Sequence, residues 1–220
     1  DCGVDVPVTI YPKDEITKLM IHGKVVLENA GIKPVTGFGS QAHLADQNMF
    51  NIARSLNFDH DFSAVAPEIL APRIKHFPYY QWVRGLWSDI KTDTQPYVIS
   101  TPAGALVTVP LTGGSLDYED LGTIMKRFTA ATKAVGNAPP SLARQVFHIQ
   151  FHQETAERYA PNLSRLLKMM YAQTAKSGTR MMPTVFQKTA ISPNTANQPE
   201  PPEKEKVSRD DEYPREALAH

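Results

Sequence analysis

A strand, a helix and a second strand in close succession, from Val4 to about His43, constrain the fold of this chain more than any other feature. GVDVPVTIYP reads as a strand, DEITKLMIHGKVVLENA as an amphipathic helix, and GIKPVTGFGSQAHLAD as a second strand with a loop at its end. Two parallel strands joined by a crossover helix make an α/β unit. In such units the chemistry collects where strands end and loops begin. Thr9 and Tyr11 at the end of the first strand, and Gly39 to His43 after the second, are therefore the positions that matter first.

The same periodicities predict the rest of the chain. Pro12 and Asp14 open the first helix, Ile16, Leu19, Met20, Val26, Leu27 and Ala30 recur at helical spacing, and Gly31 stops it. A second helix is expected from about Leu44 to Leu56, and a third from Asp117 as N-cap to Gly136. A fourth is entered through Pro161 and stopped by Gly178. Further strands are expected at Pro34–Phe38, Tyr97–Ser100, Ala105–Val109 and Val146–Phe151, the middle pair forming a hairpin through Pro102, Ala103 and Gly104. FPYYQWVRGLW, with Trp82 and Trp87, reads as an irregular aromatic segment, either a carbohydrate-stacking surface or a satellite core under a long loop. From about Lys188 the chain turns rich in Pro and charge and poor in apolar residues. Residues 1–187 thus read as one α/β domain and 188–220 as a disordered tail, available to a protein partner. The start, Asp1-Cys2-Gly3 without Met, reads as a piece of a longer chain.

Charge narrows the function classes. Lys+Arg and Asp+Glu balance at 23 each, so there is no net field to recruit nucleic acid or an anionic membrane. No apolar run approaches the roughly 18 residues of a membrane span. The single cysteine, Cys2, excludes an internal disulfide framework and a Cys-based metal site. Its solitude is compatible with a cytoplasmic or an exported protein.

The densest chemistry lies in VFHIQFHQE, residues 146–154. On a strand, His148, Gln150 and His152 share one face and Phe147, Ile149 and Phe151 the other. His152 falls at the strand's C-terminal end, where it is a candidate general acid or metal ligand, with a surface histidine as the plain alternative. His148 and His152 lie roughly 13 Å apart at ~3.3 Å per residue, too far to share one ion. His43, in the loop after the second strand, faces either solvent or the same mouth as His152. His60 has Asp59 and Asp61 beside it in FDHDF, but on a strand both acids point away from it.

In order and spacing, GVDVPVTIYP, the acidic helix, AGIKPVTGFGSQAHLAD, LNFDHDFSAVAP and the late FHIQFHQE resemble the polysaccharide deacetylases of the NodB-homology type. The resemblance covers roughly Gly3–Ser63 and Val146–Tyr171. It implies a partial or distorted (β/α) barrel, a divalent metal such as zinc, and hydrolytic removal of acetyl groups from a carbohydrate polymer or oligosaccharide. It places Asp61 with Ser63 in an Asp-Ser-Ser-like turn and His152 in a Leu-His-like strand end, each with a catalytic assignment for the Asp or His. His43, Tyr11, Trp82 and Trp87 are the candidate substrate contacts.

The metal half departs from the family. Thr9 and Tyr11 stand where the ligands are expected, and neither is a usual zinc ligand. Gly39 stands in the place of the family's arginine, and the motif bearing its aspartates is expected before Asp1. Zinc is accordingly not expected on this chain as it stands. Two functions follow: a metal-dependent carbohydrate deacetylase, or a non-catalytic relative that binds glycan or protein through the same mouth.

Overall fold

The computed structural model describes residues 8–137, 144–152 and 155–182. The segment before Val8, with Cys2 and Asp5, the proposed domain boundary at 187/188 and the 188–220 tail lie outside them.

All four expected helices form, with shifted ends. α1 spans Lys13–Asn29, with Asp14 and Glu15 in its first turn complementing the helix dipole, and the chain leaves it through Gly31 at φ +93°. Its inward face is narrow: Ile16 is its one buried residue, while Leu19, Ile21, Val25 and Val26 stay exposed. α2 spans Gln47–Ser55 and is capped by Asp46, whose Oδ1 accepts from Met49 N at 2.8 Å. It buries Met49, Phe50, Ile52 and Ala53.

The aromatic segment is a correction. Phe77 to Trp87 is not irregular: Pro78–Leu86 forms α4, following α3 at Pro67–Ile74. Both helices open on a proline, which has no N–H to lose in a first turn. α4 turns Val83 into the core, and Trp87 follows it there.

The strands are shorter than expected. β1 is Gly37–Phe38 and β2 is His60–Asp61, parallel and joined by α2. β3 (Tyr97–Thr101) and β4 (Gly104–Thr108) form the expected hairpin, with Gly104 at φ +114° in its turn. β4 lies parallel to β2, giving a four-stranded sheet of order β1-β2-β4-β3 in which β3 is an edge. Farther along, Val65 bridges Leu111, and then β5 (Gly114–Ser115) pairs in parallel with β6 (Ile149–Gln150) as a second, two-stranded sheet. The architecture is mixed α/β. Among the described residues the sheets stay open and no barrel closes.

The described half of the opening strand is also corrected. Val8–Ile10 is a 3-10 turn, closed by Tyr11 N to Val8 O at 3.2 Å. Pro7 and Pro12 bracket it, so the sequence removes a ladder donor on either side. Among the described residues the parallel crossover is β1-α2-β2, and residues 4–7 of the expected first strand lie outside them.

Two cores result. Ile16, Phe50, Ile52, Ile69, Leu70, Val83, Trp87 and Leu106 belong to the larger, between the first sheet and α1 to α4. The smaller joins α5 (Leu121–Asn137) to α6 (Ala156–Ser177) through Ile124, Phe128, Leu166 and Met170, with Phe147, Ile149 and Phe151 against them. α5 begins later than expected because Asp120, not Asp117, takes the capping bond, from Thr123 N at 3.0 Å. α6 begins earlier, with Pro161 inside it, and ends at Gly178 in the left-handed region.

β6 is seated by a close backbone approach. Gly113 N donates to His148 O at 2.8 Å, and Arg127, ion-paired with Glu119, donates to Gly113 O at 3.1 Å. A Cβ on Gly113 would stand 2.5 Å from His148 O and 2.8 Å from the Phe147 ring. Because a backbone carbonyl cannot swing aside, Gly113→Ala should destabilise the fold by roughly 1–3 kcal/mol, read as a lower urea midpoint with unchanged slope.

Candidate functional site

The expected alternation in residues 147–152 holds. Phe147, Ile149 and Phe151 enter the smaller core. His148, Gln150 and His152 turn the other way and meet three different partners.

His152 meets Asp117. Its Nδ1 lies 3.0 Å from Asp117 Oδ2, and its backbone N donates to the same oxygen at 2.8 Å. Thr155 Oγ1 donates to Asp117 Oδ1 at 2.6 Å, so both carboxylate oxygens are held. The Tyr118 ring stands edge-on to the imidazole at 5.7 Å. Asp117 is almost buried while the His152 side chain is 45% exposed. An ionised carboxylate only accepts, so Nδ1 carries the hydrogen, and in the neutral ring Nε2 carries the lone pair. This is an oriented base with its positioning partner. Asp117 was read in the sequence as a helix cap; two acids three residues apart, Asp117 and Asp120, fit that role equally well before the strand opposite is known.

Gln150 meets His43, the loop histidine. His43 Nδ1 lies 2.9 Å from Ser63 O, and its Nε2 lies 3.0 Å from Gln150 Nε2. A carbonyl only accepts, so His43 donates from Nδ1 and accepts at Nε2 from the Gln150 amide. Burial pushes the His43 pKa down to about 4, with His148 and His152 adding to the shift and the Ser63 bond opposing it. The ring is neutral at ordinary pH.

The loop that delivers His43 is strained. Ala42 and His43 have φ of +53° and +62°, the left-handed region that costs non-glycine residues on the order of 1 kcal/mol or more each. Trp87 helps hold it there, its indole Nε1 donating to His43 O at 2.7 Å.

His148 meets Phe62, edge-on at 5.7 Å, and burial lowers its pKa.

Ser63 ties these parts together. Its N donates to Asp61 Oδ1 at 2.9 Å, its Oγ accepts from Ser40 N at 2.9 Å, and its O accepts from His43. Asp61 itself is fully buried in β2, in register with Phe38, Thr108 and Tyr97 of the neighbouring strands. Burial drives its pKa up to about 6, against the Ser63 bonds and the Thr108 hydroxyl, which favour the charged form.

The other expected contacts are scattered. Trp87 is 5% exposed with its indole N–H spent on His43 O, so it is a strut and not a stacking surface. Trp82 is 43% exposed on α4. Tyr11 is 38% exposed and Thr9 half-buried, both at the 3-10 turn and not at a strand end. Among the described residues no group of three or more His, Cys, Asp or Glu could hold a metal ion. His43 has both ring nitrogens engaged. The donor set that is described does not fit zinc. Among the same residues no helix is long and apolar enough to cross a membrane.

Two buried groups here titrate in opposite directions. Asp61 rises from 3.8 to about 6, so between these values the folded state holds a proton that the unfolded chain has lost. Its contribution to stability falls as pH rises through that window. His43 drops from 6.5 to about 4, so the unfolded chain binds the extra proton and stability falls as pH falls. Each amounts to roughly 3 kcal/mol, and the two oppose each other between pH ~4 and ~6. Asp61→Asn should therefore make acid destabilisation steeper, and His43→Gln should make it shallower, in urea titrations across that range. Parallel curves for wild type and both variants would contradict this. Comparison with family models, curated proteins and solved structures finds no match to the chain.

Proposed function

We propose that this chain is a polysaccharide-deacetylase-type domain that hydrolyses acyl groups on a carbohydrate polymer or oligosaccharide, with His152 as its acid–base residue. The observation that carries this reading is the Asp117–His152 pair: a strand-end imidazole with Nδ1 tied to a nearly buried carboxylate, on a side chain that is 45% exposed. Such a base takes the proton of a water as the water oxygen bonds to the acyl carbon. It returns that proton to the leaving nitrogen or oxygen as the C–N or C–O bond breaks, releasing carboxylic acid and sugar. The zinc of the resembled family enters no step here, because the described residues lack its ligands.

The fold lends support. The parallel pairs β1-β2, β2-β4, Val65-Leu111 and β5-β6 suit a partial, open version of a (β/α) barrel. The order Phe38, Asp61 with Ser63, then His152 at a late strand end also follows the resemblance.

A second reading is favoured by one observation, the placement of Thr9 and Tyr11 on an exposed turn without a metal-binding group. In it the chain binds acylated glycan without turnover, with exposed Phe77 and Trp82 of the α4 region as stacking surfaces.

Acetate release from acetylated oligosaccharides, measured on the full chain with added zinc and with chelator, separates the two. The hydrolase reading expects release that His152→Ala lowers by about 10²–10⁴-fold. Release indifferent to His152→Ala would refute it, as would saturable glycan binding without release.

A further inference from the structure

Charge balances over the whole chain but not along it. From Asp1 to Asp120 nine Lys and Arg stand against fourteen acids; from Leu121 to Met182 nine stand against two, Glu154 and Glu157. The second stretch includes α5 and α6, the helix pair of the smaller core. A chain without a net field thus carries a local one on these two helices. α5 contributes Lys126, Arg127 and Lys133 and no acid, and among the described residues only Arg127 of the three is ion-paired, to Glu119.

α6 presents that charge to solvent. Leu163, Leu166, Met170 and Thr174 turn inward at helical spacing. The remaining surface carries Arg165, Lys168 and Lys176, all exposed, and among the described residues no acid pairs with them. Among these cations stand Leu167, Met169 and Tyr171, 37%, 36% and 48% exposed. Residues three and four apart are neighbours on a helix surface. Arg165 therefore borders Lys168 and Met169, and Tyr171 borders Leu167 and Lys168, so that cations and apolar side chains interleave over two turns.

That combination decides between partners. A soluble polyanion pairs with the ammonium and guanidinium groups but leaves Leu167 and Met169 in water. The interface of an anionic bilayer takes both kinds of side chain. Apolar groups enter the acyl boundary, while Lys and Arg lay their stems along the apolar surface and hold their heads at the phosphates. We propose that the outer face of α6 is a docking surface for an anionic lipid membrane, on which the helix lies flat without crossing. Each Lys or Arg near such a surface is worth about a fivefold gain in binding, and the apolar side chains add to it. The docking surface is independent of the chemistry at His152, so its failure leaves the hydrolase reading untouched.

Co-sedimentation of the full chain with vesicles of phosphatidylcholine, alone or with about 30% phosphatidylserine, tests it. The wild type should bind the anionic vesicles at least about tenfold more tightly than the neutral ones, and lose most of that binding as salt rises from about 0.05 to about 0.5 M. Combining Arg165→Gln, Lys168→Gln and Lys176→Gln should weaken anionic-vesicle binding about a hundredfold. Should that variant not fold, Lys168→Gln alone repeats the test at about fivefold. Removing the same charge elsewhere, by Lys13→Gln, Arg73→Gln and Lys75→Gln, should leave binding within about twofold. Leu167→Ser with Tyr171→Ser should weaken vesicle binding about tenfold and leave heparin binding unchanged. Absence of binding to anionic vesicles at low salt overturns the proposal, and so does an equal loss from the two charge variants. A single-stranded oligonucleotide bound more tightly than the vesicles overturns it in favour of a nucleic-acid surface.

Discussion

Ser63 is the residue on which the arrangement of this molecule turns. It is fully buried, and its amide, hydroxyl and carbonyl each bind a different residue: Asp61 in β2, and Ser40 and His43 in the loop between β1 and α2. A buried polar group left unpaired costs about 1–3 kcal/mol, so three simultaneous bonds leave the chain little freedom to place these segments otherwise. From His43 the same chain of bonds continues to Gln150, which belongs to the other sheet. The two sheets share no strand; the Val65–Leu111 bridge, the Phe62–His148 ring contact and this polar relay are among the contacts that join them.

The relay also explains why an unfavourable backbone persists at Ala42 and His43. Two left-handed residues in succession survive only when their surroundings over-determine them. Here Trp87 holds the His43 carbonyl from the core side, while Ser63 and Gln150 hold its ring. The aromatic residue that looked suited to stacking on a sugar instead supports the loop that carries a histidine to the mouth. Packing and chemistry use the same side chains.

What could be read from the sequence, and what could not, divides along physical lines. α1, α2, the β3-β4 hairpin and the two-faced strand around His148 to His152 follow from local period and turn chemistry, and they form much as expected. The described end of the first strand, residues 8–11, does not, because strand pairing depends on partners elsewhere in the chain that a local pattern cannot supply. α4 was hidden by its aromatics, although Pro78 at the first helical position was the signal. Within the site, His43 and His152 were visible as residue types at loop and strand ends. Asp117 was visible only as a cap, since its link to His152 spans 35 residues. The burial of Asp61 could not be seen either: an acid in a strand next to a histidine resembles a surface pair until the sheet shows which face is covered.

The sheet's outer boundary carries a consequence of its own. β1 and β6, each of two residues, are too short to template another strand, but β3 runs five residues, Tyr-Val-Ile-Ser-Thr, along an edge. A segment of high β-propensity without charge or proline, exposed on an edge, is the type that seeds intermolecular pairing. Gln47 on α2 reaches across and donates to the Ser100 carbonyl at 3.3 Å, occupying one of the groups that a foreign strand would need. If the protein aggregates on partial unfolding, the peeling of α2 from this edge is the event that opens the way, and β3 is the stretch through which fibrils would grow.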